Sequence, residues 1–572
     1  MNSILFLVLR RMRVPLLVIS TVYATATLGF SLIPGIDDQG NPWHMDFFHA
    51  FYFVSYMGST IGFGEIPYAF TDAQRLWATI CIYLTVIAWV YGIGAVLTLL
   101  QDEALRQAFT ERRFARNVAK LREPFFLVCG YGDTGSALVN ALERRWIQSV
   151  VIEIRQERIN ALALTNYPMY VPNICADAAY PGNLLLGGLR DSHCVGVVAL
   201  TNQNQVNLHI AITAKVFNPS LKVICRAESH DVEANMASFG TDYIIDPFDT
   251  FAEHLVTALY SPCQSLLASW LAGDSDEPLK EPLHPPRGLW VLCGYGRFGK
   301  AMYRFLRAHG IELVVIDPYP ADRQPPEGSV TGWGTDAETQ RQARIEEAVG
   351  IVAGTDDDSN NLSIIMTARQ LNPDLFLVVR QNQQLNQALF QSAGADVVMQ
   401  ASRVVANRIR GLITIPLLED FLQLAMRQDE QWACVLISRL AAICEDNLPE
   451  VWQVRIDQEQ AYAVQLALQR GETIELQHLL TDPRDRSQRL FCIPLLFADR
   501  QGKHLLPEHN PRLHSGDQVL FAGSRTGRLR LLLTLQNEVA LTYVTTGRAL
   551  PQTTVWRLIT RALGRHHSDA AQ

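Results

Sequence analysis

Val14 to Ile33 is a run of 20 residues without a charge, and Leu76 to Leu100 is another of 25. Each is long enough to cross a bilayer as an α-helix. Arg10, Arg11 and Arg13 precede the first run, and Arg106, Arg112, Arg113, Arg116 and Lys120 follow the second. The connecting loop carries Asp37, Asp38, Asp46, Glu65 and Asp72 against one base, Arg75. By the positive-inside rule both ends face the cytoplasm of a cell with an inner (plasma) membrane, and the loop lies outside. The first run lacks a clear small-residue cleavage site and a second span follows, so it reads as a retained span, not a signal peptide. The chain is thereby divided into a short membrane part, in contact with lipid, and a long soluble part.

The loop has its own parts. Pro34 to His44 is polar and turn-rich. Asp46 to Met57 is aromatic and apolar but too short to span, and it suits a half-length helix that dips in and returns. Backbone at that depth must be buried in protein or line a wet cavity. Thr60-Ile61-Gly62-Phe63-Gly64-Glu65 follows. It resembles the potassium-channel selectivity filter, whose usual form is Thr-Val-Gly-Tyr-Gly-Asp. A dehydrated K+ needs oxygens in place of its water, and rings of backbone carbonyls supply them. Gly62 and Gly64 permit the unusual dihedrals that turn successive carbonyls one way. Phe63 and Glu65 stand where Tyr and Asp are commonest, which keeps a less selective cation channel as an alternative. In the second span, Gly92 and Gly94 suit either a gating hinge or close helix packing.

The soluble part is a tandem duplication. Phe125 to Cys129 reads as a buried strand running into Gly130-Tyr131-Gly132-Asp133-Thr134-Gly135, and a strand at 150–153 ends in Glu153. Leu289 to Cys293 runs into Gly294-Tyr295-Gly296-Arg297-Phe298-Gly299, with a strand ending in Asp317, 164 positions on. Further along the offset becomes 154: Thr201 matches Thr355, Asn218-Pro219 matches Asn372-Pro373, Arg226 matches Arg380, and Asp242 matches Asp396. Matches this numerous at fixed offsets mean duplication. Each copy holds the dinucleotide fingerprint in its required context of strand, glycines, helix and acidic strand end. The glycines allow a tight turn and close approach of a pyrophosphate to a helix N-terminus. Candidate nucleotide-binding residues are Gly130, Gly132, Gly135, Glu153 and Asp177 in the first copy. In the second they are Gly294, Gly296, Arg297, Gly299, Asp317 and Asp336. Arg297 offers a cation to a phosphate; Asp133 in the same place of the first copy opposes one. Asp356-Asp357-Asp358 is open to a divalent cation such as Ca2+ or, more simply, to a solvated loop or helix cap; no metal ligand set is assigned.

Two fingerprinted domains behind a pore resemble the RCK family, the regulators of potassium conductance. That resemblance implies a homotetramer with eight such domains in a ring beneath the pore, gated by a ligand. The implied fold is a two-span α-helical pore domain, two α/β Rossmann-like domains with doubly wound parallel sheets, and a small α+β lobe. The segments are an N-terminus at 1–13 and a pore domain at 14–100, with spans 14–33 and 76–100, pore helix 46–57 and filter 60–65. A connector at 101–123, a first RCK domain at 124–272 and a linker at 273–287 come next. The second RCK domain has an N-terminal lobe at 288–419 and a C-terminal lobe at 420–545, and 546–572 is a tail. The lobe is expected to hold strands at 434–437, 490–495 and 513–523. The function implied is K+ conduction gated by NAD, NADH or an adenine nucleotide, by Ca2+, or by both, without catalysis. A membrane-anchored NAD-dependent oxidoreductase is the alternative; it explains the fingerprints but not the filter. The net charge of −8 argues against a nucleic-acid partner. The ten cysteines form no CxxC pair, and they read as small buried hydrophobes, not as ligands or disulfides.

Overall fold

A computed structural model describes residues 2–228, 230–273, 278–279, 281–444, 447–507 and 510–548. Most of the expected tail, 549–572, lies outside the described residues. The chain forms two compact units, Met1–Lys120 and Leu121–Gln572.

In the first unit, α1 (Asn2–Leu32) and α3 (Asp72–Gln101) are the two helices long and apolar enough to cross a membrane, with α2 (Phe47–Gly58) between them. The helix α1 takes in most of the expected N-terminal segment. The second span starts four residues before the apolar run because Thr71 and Gln74 form a reciprocal cap: Thr71 Oγ1 accepts from Gln74 N, and Gln74 Oε1 accepts from Thr71 N. Asp46 caps α2 by accepting from His49 N at 2.8 Å. Small residues let the helices meet. A Cβ on Gly29 would strike Trp77, and one on Gly92 would lie 2.8 Å from Ile19. Phe30, Phe53 and Phe70 fill the centre, with the Phe30 and Phe53 rings 4.7 Å apart. A last helix, α4 (Glu103–Val118), holds most of the expected connector.

The second unit opens with β1 (Phe125–Cys129), β2 (Gln148–Glu153), β3 (Asn173–Cys175), β4 (Cys194–Ala199), β5 (Lys222–Arg226) and β6 (Tyr243–Ile245). They form an all-parallel sheet in the order β3-β2-β1-β4-β5-β6. That is the doubly wound order, whose switch point lies between the first and fourth strands. The second copy repeats it with β7 (Leu289–Cys293), β8 (Glu312–Asp317), β9 (Val330–Thr331), β10 (Gly350–Ala353), β11 (Phe376–Gln381) and β12 (Val397–Gln400), in the order β9-β8-β7-β10-β11-β12. The matched polar residues do matched work. Asn207 Oδ1 accepts from Thr201 N at 2.9 Å, and Asn361 Oδ1 accepts from Thr355 N at 2.9 Å. Asp242 accepts from Val223 N, and Asp396 from Leu377 N, each at 2.7 Å.

The copies are interlocked. After β6 the chain forms a helix, Pro247–Tyr260, whose Phe248, Ala252, Leu255 and Leu259 pack in the core of the second copy with Trp290, Phe298 and Met302. The corresponding helix of the second copy, Ala401–Thr414, puts Val405, Ala406, Ile409 and Leu412 into the core of the first. Each fingerprint helix thus leans on a helix from the other copy. The repeat also runs beyond residue 419: Pro262–Ala272 and Pro416–Ala425 are matching helices.

The C-terminal lobe has an antiparallel sheet of β13 (Glu450–Arg455), β14 (Cys492–Ala498), β15 (Lys503–Leu505) and β16 (Gln518–Gly523). The strand expected at 434–437 is instead part of a helix, Glu430–Cys444. Its buried residues, Ala433, Leu436, Leu440 and Cys444, fall at helical spacing, which a four-residue apolar run conceals. Cys129 and Cys293 are buried free thiols as expected, but Cys263 and Cys434 are disulfide-bonded, contrary to the expectation of no disulfide. Two packed helices bring them together from positions 171 residues apart.

Asp246 caps the exchanged helix Pro247–Tyr260 by accepting from Phe248 N at 2.7 Å and Asp249 N at 3.2 Å. Burial pushes its carboxyl up to about 6, against these hydrogen bonds, and the Asp249 and Glu228 charges push the same way as burial. The folded value lies above the unfolded one, so this group's stability is full below about pH 4 and is lost as pH rises through 6. Asp246→Asn keeps the cap and removes the charge. It is expected to raise the stability of the purified protein by about 2 kcal/mol at pH 7.5 and to give no gain at pH 4. Thermal unfolding at the two pH values checks this; an equal gain at both would show that ionisation is not the cause.

Candidate filter and nucleotide clefts

The candidate filter loop leaves α2 with backbone in alternating hands. Thr60 has φ +61°, Gly62 +69° and Gly64 +95°. Alternation of this kind turns successive peptide carbonyls to one side. Glycine was expected at two of these positions; the left-handed Thr60 was not, and nothing in its residue type announces it. The Tyr56 hydroxyl donates to the Gly64 carbonyl at 2.6 Å, and its ring meets Phe63 edge-on with centroids 5.4 Å apart. Glu65 is tied down by Phe70 N at 2.8 Å and by Arg75 Nε at 2.9 Å. Phe63 and Glu65 are therefore placed by specific contacts. Ile61 and Phe63 remain largely exposed in the single chain. Of the two candidate hinge residues, Gly92 is explained by its contact with α1, whereas a Cβ on Gly94 would meet nothing.

In the first RCK-type domain, the fingerprint glycines divide by role. Gly130 has φ +102° and a Cβ there would crowd the Leu200 backbone. A Cβ on Gly135 would lie 2.0 Å from the Gly130 carbonyl oxygen. These two are required by the fold. Gly132 is not: its φ is −75° and a Cβ would meet no atom. It caps the helix Asp133–Glu143 without a side-chain hydrogen bond, so no capping side chain covers the first-turn N–H groups. A cavity of 410 Å3 opens there, lined among others by Gly132, Glu153, Asp177, Arg158, Arg226 and Arg380. Glu153 accepts from Tyr131 N at 2.6 Å and Arg155 N at 2.9 Å, tying the glycine loop to the end of β2. Asp133 pairs with Arg158 at 2.9 Å, which offsets its charge toward an incoming phosphate. Arg226 and Arg380 were legible in the sequence only as repeat matches. The structure brings both to this one cavity, Arg380 from the other copy.

The second copy has the same loop. Gly294 has φ +95°, a Cβ on Gly299 would lie 1.9 Å from the Gly294 carbonyl oxygen, and one on Gly296 would meet nothing. Its polar groups are already engaged. Asp317 is fully buried and accepts from Tyr295 N at 2.6 Å, Tyr319 N at 2.8 Å and Arg323 Nη1 at 3.0 Å. Asp336 caps a short helix through Thr339 N, and these bonds hold its carboxyl below the usual range. Arg297 is paired with Glu228 of the first copy. The acidic run is used locally: Asp357 caps the helix Asp358–Leu371, and Asp358 accepts from Asn382 N, Gln383 N and Asn386 Nδ2.

The TrkA-N domain family matches residues 126–247 and 290–401, and the ion channel family matches 17–102. Potassium channel protein 1 of Methanocaldococcus jannaschii is 25% identical over 204 residues, 36% of this chain and 59% of the relative. The chain therefore spans about three fifths of that relative's length. The Trk system potassium uptake protein TrkA of Streptomyces coelicolor is 27% identical over 198 residues, 32% of this chain and 88% of that protein. A solved structure of the GsuK channel bound to NAD matches 94% of this chain and 100% of its own, at 16% identity and a TM-score of 0.44. By these matches, residues 17–102 are an ion-channel domain, and residues 126–247 and 290–401 are two TrkA-N domains that follow it in the same chain.

Proposed function

We propose that the chain is one subunit of a homotetrameric K+ channel in the inner membrane, with its RCK-type domains on the cytoplasmic side, gated by an adenine nucleotide or NAD(H) in the first-domain cleft. The two spans, the half-length helix and the alternating filter backbone support the pore. The observation that carries nucleotide binding is Gly132, a glycine that neither dihedral nor packing requires, set at an uncapped helix start inside a cavity lined with arginines. Room for a pyrophosphate is the reason that remains for it. Glu153 lies at the end of the neighbouring strand, with lone pairs left for a ribose diol. Arg226 and Arg380 offer their guanidinium groups to the phosphates.

A ligand moves the gate only by its difference in affinity between the open and closed forms. Arg380 comes from the second copy, so a phosphate that engages it draws the two copies together, and this difference is the coupling we propose. Among the described residues, the acidic run is not part of a cluster of potential metal ligands, and calcium enters as a separate arm of the test.

The test is current from purified protein in a planar bilayer, with K+ on one side, Na+ on the other, and ADP, NAD, NADH or Ca2+ added to the soluble-domain face. A reversal potential near that of K+ and an open probability moved by a nucleotide are expected. Arg380→Gln is expected to shift the nucleotide response to concentrations about 10- to 100-fold higher while leaving the reversal potential unchanged. Selective current indifferent to every nucleotide would overturn the gating proposal, and the absence of selective current would overturn the pore.

A further inference from the structure

The two clefts are copies of one design but are not filled alike. In the first, the helix begins with Asp133, and the facing strand of the other copy supplies Arg380, followed by Asn382. In the second, the helix begins with Arg297, and the facing strand supplies Arg226, followed by Glu228. Positions 226 and 380, and 228 and 382, are equivalent at the repeat offset of 154. The amide at 382 is therefore a carboxylate at 228.

That carboxylate is engaged on both sides. One oxygen of Glu228 pairs with Arg226 and the other with Arg297, and its side chain is 8% exposed. Arg297 opens a 12-residue helix whose cap, Gly296, gives no side-chain hydrogen bond and would admit a Cβ freely. A buried carboxylate held by two guanidinium groups, one of them at an uncapped helix start, meets the electrostatic demand that a phosphate would meet there. The first cleft has no such internal anion: Asn382 is neutral, and Arg380 makes no ion pair among the described residues.

We propose that Glu228 is a built-in substitute for phosphate, which fills the anion-binding end of the second cleft and restricts each chain to a single nucleotide, in the first cleft. This rests on the nucleotide reading above. Any phosphate entering the second cleft must displace a carboxylate already paired with its cation, whereas one entering the first meets Arg380, which no carboxylate pairs among the described residues.

The test is the number of ADP molecules bound per chain by the full-length protein in detergent, read by titration calorimetry for wild type, Glu228→Gln and Glu228→Gln/Arg297→Gln. The expected numbers are one, two and one. Glutamine keeps the shape of Glu228, and the site retained in the first cleft reports that the variants are folded. Two sites in wild type, or one in Glu228→Gln, would overturn the internal anion while leaving nucleotide binding intact. None in wild type and one in Glu228→Gln would keep the internal anion and overturn the reading of the first cleft. None in any of the three would overturn both.

Discussion

Gly62→Ala is expected to abolish K+-selective current. A Cβ at Gly62 meets nothing within the chain, so the penalty is not a clash. It lies in the backbone: Gly62 sits at φ +69°, and an L-residue held there costs about 1–2 kcal/mol. In the proposed tetramer four copies pay together, about 4–8 kcal/mol, and the loop's simplest escape is to rotate the peptide and turn a carbonyl out of the ring. In the proposed pore, the lost carbonyls are those that would replace water around the ion. Nearby Tyr56 holds Gly64 by its carbonyl, so the outer end of the loop is tethered and the strain concentrates at Gly62. The check is the reversal potential under opposed K+ and Na+ gradients, with assembled protein verified by size. Wild-type selectivity in Gly62→Ala would show that this loop is not the filter.

The second large effect separates folding from binding within one motif. Gly135→Ala is expected to destabilise the soluble part by about 3 kcal/mol or more, since its Cβ would lie 2.0 Å from the Gly130 carbonyl oxygen. That carbonyl cannot easily withdraw, because Gly130 N donates to Ile152 O at 2.8 Å and its φ is already +102°. Gly132→Ala meets no atom and is expected to stay within about 1 kcal/mol of wild-type stability while weakening nucleotide binding tenfold or more. Melting temperature and ADP affinity, measured side by side, test the pair. If Gly132→Ala bound ADP as wild type does, the open space beside it would not be a phosphate site.

The features legible in the sequence were those carried by local pattern. Uncharged runs gave the spans, and repeated strand-glycine-helix-acid units gave the two parallel sheets. The pattern failed where long-range packing decides. The helices Pro247–Tyr260 and Ala401–Thr414 look alike in either partnership, so their exchange between copies leaves no periodic trace. A short apolar run at 434–437 fits strand and helix equally, and its burial at every third or fourth residue emerges only over the longer span. Arg297 reads locally as a phosphate ligand. In the structure it pairs with Glu228, 69 positions earlier, brought to it by the exchange. Asp317 reads as a ribose ligand, yet its oxygens are taken by Tyr295, Tyr319 and Arg323, none of which advertises the bond.

The exchanged helices also bear on how such a chain is made. During synthesis the first copy leaves the ribosome before Ala401–Thr414 exists. The surface meant for Val405, Ile409 and Leu412 must stay uncovered for well over a hundred residues of elongation. Over the same interval Phe248 and Leu255 project toward a domain not yet translated. The nascent first copy is therefore a natural client for chaperones. A frameshift or ribosome stall within the second copy would release a fragment whose two apolar faces suit another such fragment, and joining of half-made chains would be its route to aggregation.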